Sequence, residues 1–184
     1  MLELLLSRLS QSEQLDEIAV VTSTEARDDK LHSFVKSLGY KCIRGNEKDV
    51  LNRFYKAAKL LNANIIVRIT GDCPLVDSKL VDECIKGYKK SEVDYFSNID
   101  PYTYPDGLDV EVFSFKALEQ VQKKATKQFD REHVTPFLIN HKQFSKEVMN
   151  NHENLSHLRW TVDEPNDLQV ITKIFNFFAP DILF

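Results

Sequence analysis

Two aspartates occupy the same local setting at distant points of this 184-residue chain. One closes Val67-Arg68-Ile69-Thr70-Gly71-Asp72-Cys73-Pro74. The other closes Leu158-Arg159-Trp160-Thr161-Val162-Asp163-Glu164-Pro165. Each run has strand-like side chains, stops at a carboxylate and then meets a proline. A carboxylate just past the end of a buried parallel strand projects into the crevice where open α/β sheets bind ligands. Two such groups, Asp72 and Asp163, could share a hard divalent cation such as Mg²⁺.

Each candidate also has a structural reading. Asp72 in a Gly-Asp-x-Pro turn could satisfy backbone N–H groups, and Asp163 could cap a helix starting near Pro165. Asp109 and Glu111 alternate with Leu108, Val110 and Val112, as on a strand with one wet face; they are equally good acceptors for substrate hydroxyls. Asp130 and Glu132 suit the first turn of a helix, while Arg131 and His133 could reach an anionic ligand. Arg68 and Arg159 lie inside the two key runs, where an unpaired charge is costly, so partners are expected in or near the site. Cys73 sits inside the Asp72 loop without a neighbouring base. Cys42 and Cys84 read as core residues, and the three thiols follow no metal-ligand spacing.

These groups must be held by a series of short elements. A leucine stripe at Leu2, Leu5, Leu6 and Leu9 predicts an opening helix. Strands are expected at 18–22, 40–44, 64–69, 94–97, 108–113, 146–149 and 158–162. Helices are expected through Leu31, Phe34, Val35 and Leu38 to Gly39, and then from an Asn46 cap through Leu61. Others follow from Asp77 through Ile85, at 115–124 and 130–141, and through Leu168 to Phe178. Alternation of this kind predicts a mostly parallel sheet covered on both faces, in one domain spanning 1–184. The helix-free stretch near 94–113 predicts an antiparallel excursion beside the crevice.

Composition narrows the function classes. With 42% hydrophobic and 28% charged residues and a net charge of −4, the chain has no overall basic field to recruit nucleic acid. No apolar run approaches the roughly 20 residues that span a bilayer. The start lacks a basic region and a small-residue cleavage site, so no signal peptide is expected and the location expected is cytoplasmic.

Five ordered motifs carry a family resemblance over nearly the whole chain. They are Arg44 to Phe54, Arg68 to Leu75, Pro105 to Val112, Arg131-Glu132-His133-Val134-Thr135-Pro136, and Arg159 to Asp163. Together they resemble the cytidylyltransferases that activate acidic sugars, and within them the spore coat polysaccharide biosynthesis protein F group. The resemblance implies a nucleotide-diphospho-sugar transferase fold, a Rossmann-like three-layer α/β/α sandwich. It also implies that CTP and a sugar give a CMP-sugar and pyrophosphate, in cell-surface or spore-coat polysaccharide synthesis.

By that analogy Asp72 and Asp163 would be catalytic and hold Mg²⁺. Thr22, Ser23, Arg68 and Gly71 would lie near the nucleotide, and Asp109, Glu111, Arg131 and His133 would face the sugar. One departure is that members of the family begin with a strand and a Gly/Arg/Lys loop around the triphosphate. Here the first glycine is Gly39, so that strand and loop are expected to be missing. The loss would expose sheet edges, weaken CTP binding, make a homodimer possible, and admit a non-catalytic relative that binds a sugar or a protein partner.

Overall fold

The structure is a computed structural model describing all residues 1–184. Helix α1 (Leu2–Leu9) buries Leu5, Leu6 and Leu9, as its stripe predicts. Strand β1 (Ala19–Ser23), helix α2 (Asp29–Ser37) and strand β2 (Lys41–Gly45) follow, and β1 pairs with β2 in parallel. Helix α3 (Val50–Leu60) leads to β3 (Ile65–Arg68), and α4 (Ser78–Ser91) to β4 (Tyr95–Ser97). Next come β5 (Glu111–Ser114), α5 (Phe115–Lys124), α6 (Gln128–His133) and α7 (Pro136–Asn140). Strand β6 (Lys146–Val148) and helix α8 (Pro165–Phe178) complete the chain.

The strands form two groups, β1-β2 and β3-β5-β4-β6. In the larger group β4 and β6 are parallel, and β5 alone is reversed, antiparallel to both β3 and β4. Reversal has a consequence for the site. Glu111 at the start of β5 pairs with Arg68 at the end of β3, so the residues leading into β5 lie beside the loop leaving β3.

Side-chain alternation on β5 sets the layers. Val110 and Val112 enter a core with α1 and α4, whereas Phe113 enters another with residues of α3, α5 and α7. The architecture is the expected α/β/α sandwich. Helix α4 is fixed by the Asp77 carboxylate, which accepts from the N–H groups of Lys79 (2.7 Å) and Leu80 (3.1 Å). Such a cap contributes about 1 kcal/mol.

Several expectations are corrected. Asp49, not Asn46, caps α3, because the Asn46 side chain is taken up by the Lys48 N–H within the preceding turn. The helix expected over 130–141 is two helices, interrupted where Val134 takes φ +72° ahead of Pro136. Residues 158–162 form no strand; one isolated bridge joins Arg159 to Asp106. Strand β5 starts only at Glu111. The Asn98 side chain stands where a neighbouring strand would, donating to the Leu108 carbonyl and accepting from the Val110 N–H, both at 2.8 Å. Cys84 is in the core, but Cys42 is only half-buried, since β2 has no strand beyond it. In α2 only Val35 is fully buried, and Phe34 is exposed.

Candidate active site

Beyond β3 the chain turns through Gly71 and Asp72 and is caught by the segment before α8. The Val162 N–H donates to the Asp72 carbonyl (2.9 Å), and the Thr161 hydroxyl donates to Asp72 Oδ2 (3.1 Å). The two aspartate turns are thereby brought side by side. A third segment joins them because residue 107 is glycine. Gly107 has φ +105°, and a Cβ there would lie 2.5 Å from the Thr161 nitrogen and 2.6 Å from the Trp160 carbonyl carbon. With that close approach, the Asp106 N–H donates to the Leu158 carbonyl (3.0 Å) and the Trp160 N–H to the Asp106 carbonyl (2.6 Å).

Asp72, Asp106, Asp109 and Glu111 consequently share one neighbourhood. The Asp109 carboxyl is pushed up to about 6, first by burial and then by the charges of Asp106, Glu111 and Asp72. The phenol of Tyr102 is pushed up to about 12 by burial and by Asp109, Glu111 and Asp106. Burial likewise pushes the Cys73 thiol up to about 12, and its sulfur lies 3.1 Å from the Thr70 hydroxyl. Cys73 is therefore a protonated packing residue, not a nucleophile.

Asp163 is exposed and pairs with Arg159 at 2.6 Å. Arg159 also binds Asp106 (2.8 Å) and Asp167 (3.1 Å), so one guanidinium bridges the turns. Capping of α8 falls to Glu164, in a reciprocal box with Asp167, which leaves Asp163 outside the cap. Arg159, with the capping N–H groups of Asp163 and Glu164, holds the Asp167 carboxyl down at about 2.

The remaining candidates are placed as follows. Glu111 is 1% exposed and is held by Arg68 and by the Tyr95 hydroxyl, which donates at 2.7 Å. The face expected to be wet is covered, because α3 and α5 lie over it. Thr22 and Ser23 end β1, and both hydroxyls donate to Asp28, at 2.8 and 2.6 Å, holding its carboxyl below the ordinary range. Arg131 grips Asp49 with Nε and Nη2 and the Ala125 carbonyl with Nη1, tying α6 to the start of α3. His133 is exposed and packs on Phe129, with ring centroids 4.5 Å apart. None of the hydrogen bonds of Thr22, Ser23 or Arg131 reaches the Asp72 neighbourhood. Asp106, Thr161 and Tyr102 were not among the sequence candidates; the Asp106-Gly107 pair was the available signal, as a turn dipeptide.

No cage of three or more His, Cys, Asp or Glu is assembled. Carboxylates of the two turns, Asp72 and Asp163, could give a hard cation one or two protein ligands, the rest of its shell coming from waters and phosphate oxygens. No helix is long and apolar enough to cross a membrane.

Comparison with known proteins identifies the family. The cytidylyltransferase family model matches residues 1–174. An uncharacterised protein of Methanocaldococcus jannaschii is 38% identical over 96% of this chain and 73% of its own length. Spore coat polysaccharide biosynthesis protein SpsF of Bacillus subtilis is 31% identical over 77% of this chain and 60% of its own length. Among solved structures, a cytidylyltransferase from Leptospira borgpetersenii superposes with a TM-score of 0.93 at 31% identity, covering all of this chain and 78% of the other. CMP:2-keto-3-deoxy-manno-octonic acid synthetase, solved with CTP, shares the fold at 13% identity and a TM-score of 0.70, over 96% of this chain and 87% of the other. The chain belongs to the cytidylyltransferase family of nucleotidyltransferase enzymes.

Proposed function

We infer that this protein joins CTP to a sugar, giving a CMP-sugar and pyrophosphate, with Mg²⁺ held by Asp72 and Asp163. The observation that carries the reading is the apposition of the two turns through the Val162 and Thr161 bonds to Asp72. Mg²⁺, when bound, neutralises charge on the α-phosphate and the leaving pyrophosphate. Thr161 orients the Asp72 carboxylate, and Arg159 anchors Asp163 and Asp106. The nucleotide lies along the ends of β1 and β3, near Thr22, Ser23, Arg68 and Gly71.

On the sugar side Asp109 has the chemistry of a general base. A carboxyl titrating at about 6 is ionised at neutral pH yet still accepts a proton readily. The sugar hydroxyl oxygen forms a bond to the α-phosphorus, its proton passes to Asp109, and the bond from phosphorus to the bridging oxygen breaks, releasing pyrophosphate. Glu111 acts through Arg68 and Tyr95, and Arg131 through Asp49. His133 is left free on the surface for an anionic group. One structure of the same fold solved with CTP, the CMP:2-keto-3-deoxy-manno-octonic acid synthetase, supports the choice of nucleotide. The SpsF relative supports polysaccharide synthesis as the context.

The test is pyrophosphate release from CTP across a panel of acidic and amino sugars, with Mg²⁺ or with EDTA. Release that needs Mg²⁺ and falls in Asp72→Asn and Asp163→Asn is expected. Equal release from wild type and both variants overturns the metal assignment. No release with any sugar favours a non-catalytic, sugar- or partner-binding relative.

A further inference from the structure

The two hydroxyls that end β1 are already engaged within the chain. Thr22 Oγ1 (2.8 Å), Ser23 Oγ (2.6 Å) and the Ser23 N–H (3.1 Å) all donate to one oxygen of Asp28, Oδ2. Three donors pin that carboxylate beyond the strand end, and its other oxygen, Oδ1, takes no hydrogen bond. Beside it, Ser23 is the register partner of Gly45, the last residue of β2. The stem of Arg53 lies against Gly45, where a Cβ would come 2.8 Å from its Cγ. The Arg53 guanidinium is poorly satisfied. Its Nη2 reaches the Glu47 carbonyl only at 3.5 Å, and its buried Nε has no partner. Burial lowers its pKa, against the charges of Asp28 and Asp49. The neighbouring arginines have carboxylate partners, Arg27 in Glu47, Arg44 in Asp29 and Arg131 in Asp49; Arg53 has none. An underused guanidinium near an underused carboxylate oxygen suits a ligand that carries an acceptor next to a donor.

We propose that Asp28 and Arg53 read the base of the nucleotide, Asp28 Oδ1 accepting from an exocyclic amine and Arg53 donating to the ring nitrogen and carbonyl beside it. The inference rests on the reading that the ends of β1 and β3 hold a nucleotide. A phosphate would meet the Asp28 charge, whereas a base edge with both kinds of group satisfies both residues. Cytosine fits, with its N4 amine, N3 and O2 in a row. Uracil and guanine place a carbonyl oxygen opposite Asp28 and an N–H opposite Arg53. Adenine has the amine and the ring nitrogen but no third acceptor. The order of affinity is therefore CTP, then ATP, then UTP and GTP. Thr22 and Ser23 are positioning residues that fix Asp28.

The test measures binding of the four nucleoside triphosphates with Mg²⁺, and of inorganic tripolyphosphate, by calorimetry on the full chain. Wild type is expected to bind CTP about tenfold or more tighter than UTP. Asp28→Asn, whose amide presents an N–H to the base, should erase most of that gap, and Arg53→Met should narrow it by weakening CTP. Tripolyphosphate should bind wild type and both variants alike, which also shows that the variants are folded. A CTP-to-UTP ratio unchanged in both variants overturns the proposal. So does tripolyphosphate binding that falls together with CTP in Arg53→Met, which would make Arg53 a phosphate ligand. Binding of no nucleotide overturns it too. If the ratio shifts but no sugar releases pyrophosphate, the base reading stands and the transfer reading falls; release that persists with an unchanged ratio is the converse.

Discussion

The main-chain N–H of Val162 donates to the carbonyl of Asp72 across 90 positions of sequence, at 2.9 Å. That bond fixes the loop after β3 against the segment before α8, and the Thr161 hydroxyl then orients the Asp72 carboxylate. Replacing Asp72 by Asn keeps the shape and the Val162 bond but removes the charge. Pyrophosphate release is expected to fall by about 10²–10³-fold with little change in Tm. Steady-state assays with thermal melts check both halves.

Glu111 tests a buried ionic contact. Its carboxylate is enclosed with Arg68 and the Tyr95 hydroxyl. Glu111→Ala strands the Arg68 charge and is expected to cost about 3–5 kcal/mol of stability in urea unfolding. Tyr95→Phe removes one hydrogen bond to a charged group and costs about 1.5–3 kcal/mol.

Gly107 is where the excursion after β4 touches the chain before α8. Gly107→Ala would force its Cβ into the backbone of Trp160 and Thr161 while holding φ at +105°. Destabilisation of at least about 1–3 kcal/mol is expected, with activity lost out of proportion because Asp106 and Asp109 move away from Asp72. Unfolding curves and kcat measured well below the new Tm separate the two effects.

Asp109 predicts two pH dependences. Its folded carboxyl titrates at about 6, above the ordinary 3.8, so the folded state holds the proton more tightly. The stability it contributes is present below about pH 4 and lost as pH rises through about 6. Urea unfolding in EDTA should show this decline, and Asp109→Asn should flatten it. The proposed base role runs the other way: transfer should rise with pH as the Asp109 carboxyl ionises, and Asp109→Asn should lose that limb.

What could be read from the sequence was local. The Asp77 cap and the leucine stripe of α1 are short-range patterns, and both stand as expected. The alternation of Asp109 and Glu111 correctly placed them on one face, but not what covers it. In a sandwich with helices on both sides the face can be dry, so Glu111 is buried where a one-sided sheet would leave it wet. The 158–162 run has strong β propensity yet forms no strand, because propensity does not supply a neighbour and only Asp106 offers a bridge. Asp106 and Thr161 escaped notice because their place depends on a contact between segments some 50 residues apart. The absence of a side chain at residue 107 makes that contact, and no periodicity records it.

Arg8 links the far end of the molecule to this geography. Its Nε donates to the Val76 carbonyl (2.9 Å) and its Nη1 to the Ile182 (3.0 Å) and Phe184 (3.1 Å) oxygens, with the guanidinium stacked over the Phe184 ring. Helix α1, which walls the apolar cavity beside β1 and β3, is thus latched to Ile182 and Phe184. Whatever pries the tail loose also unbolts that wall, so the two regions should breathe in step.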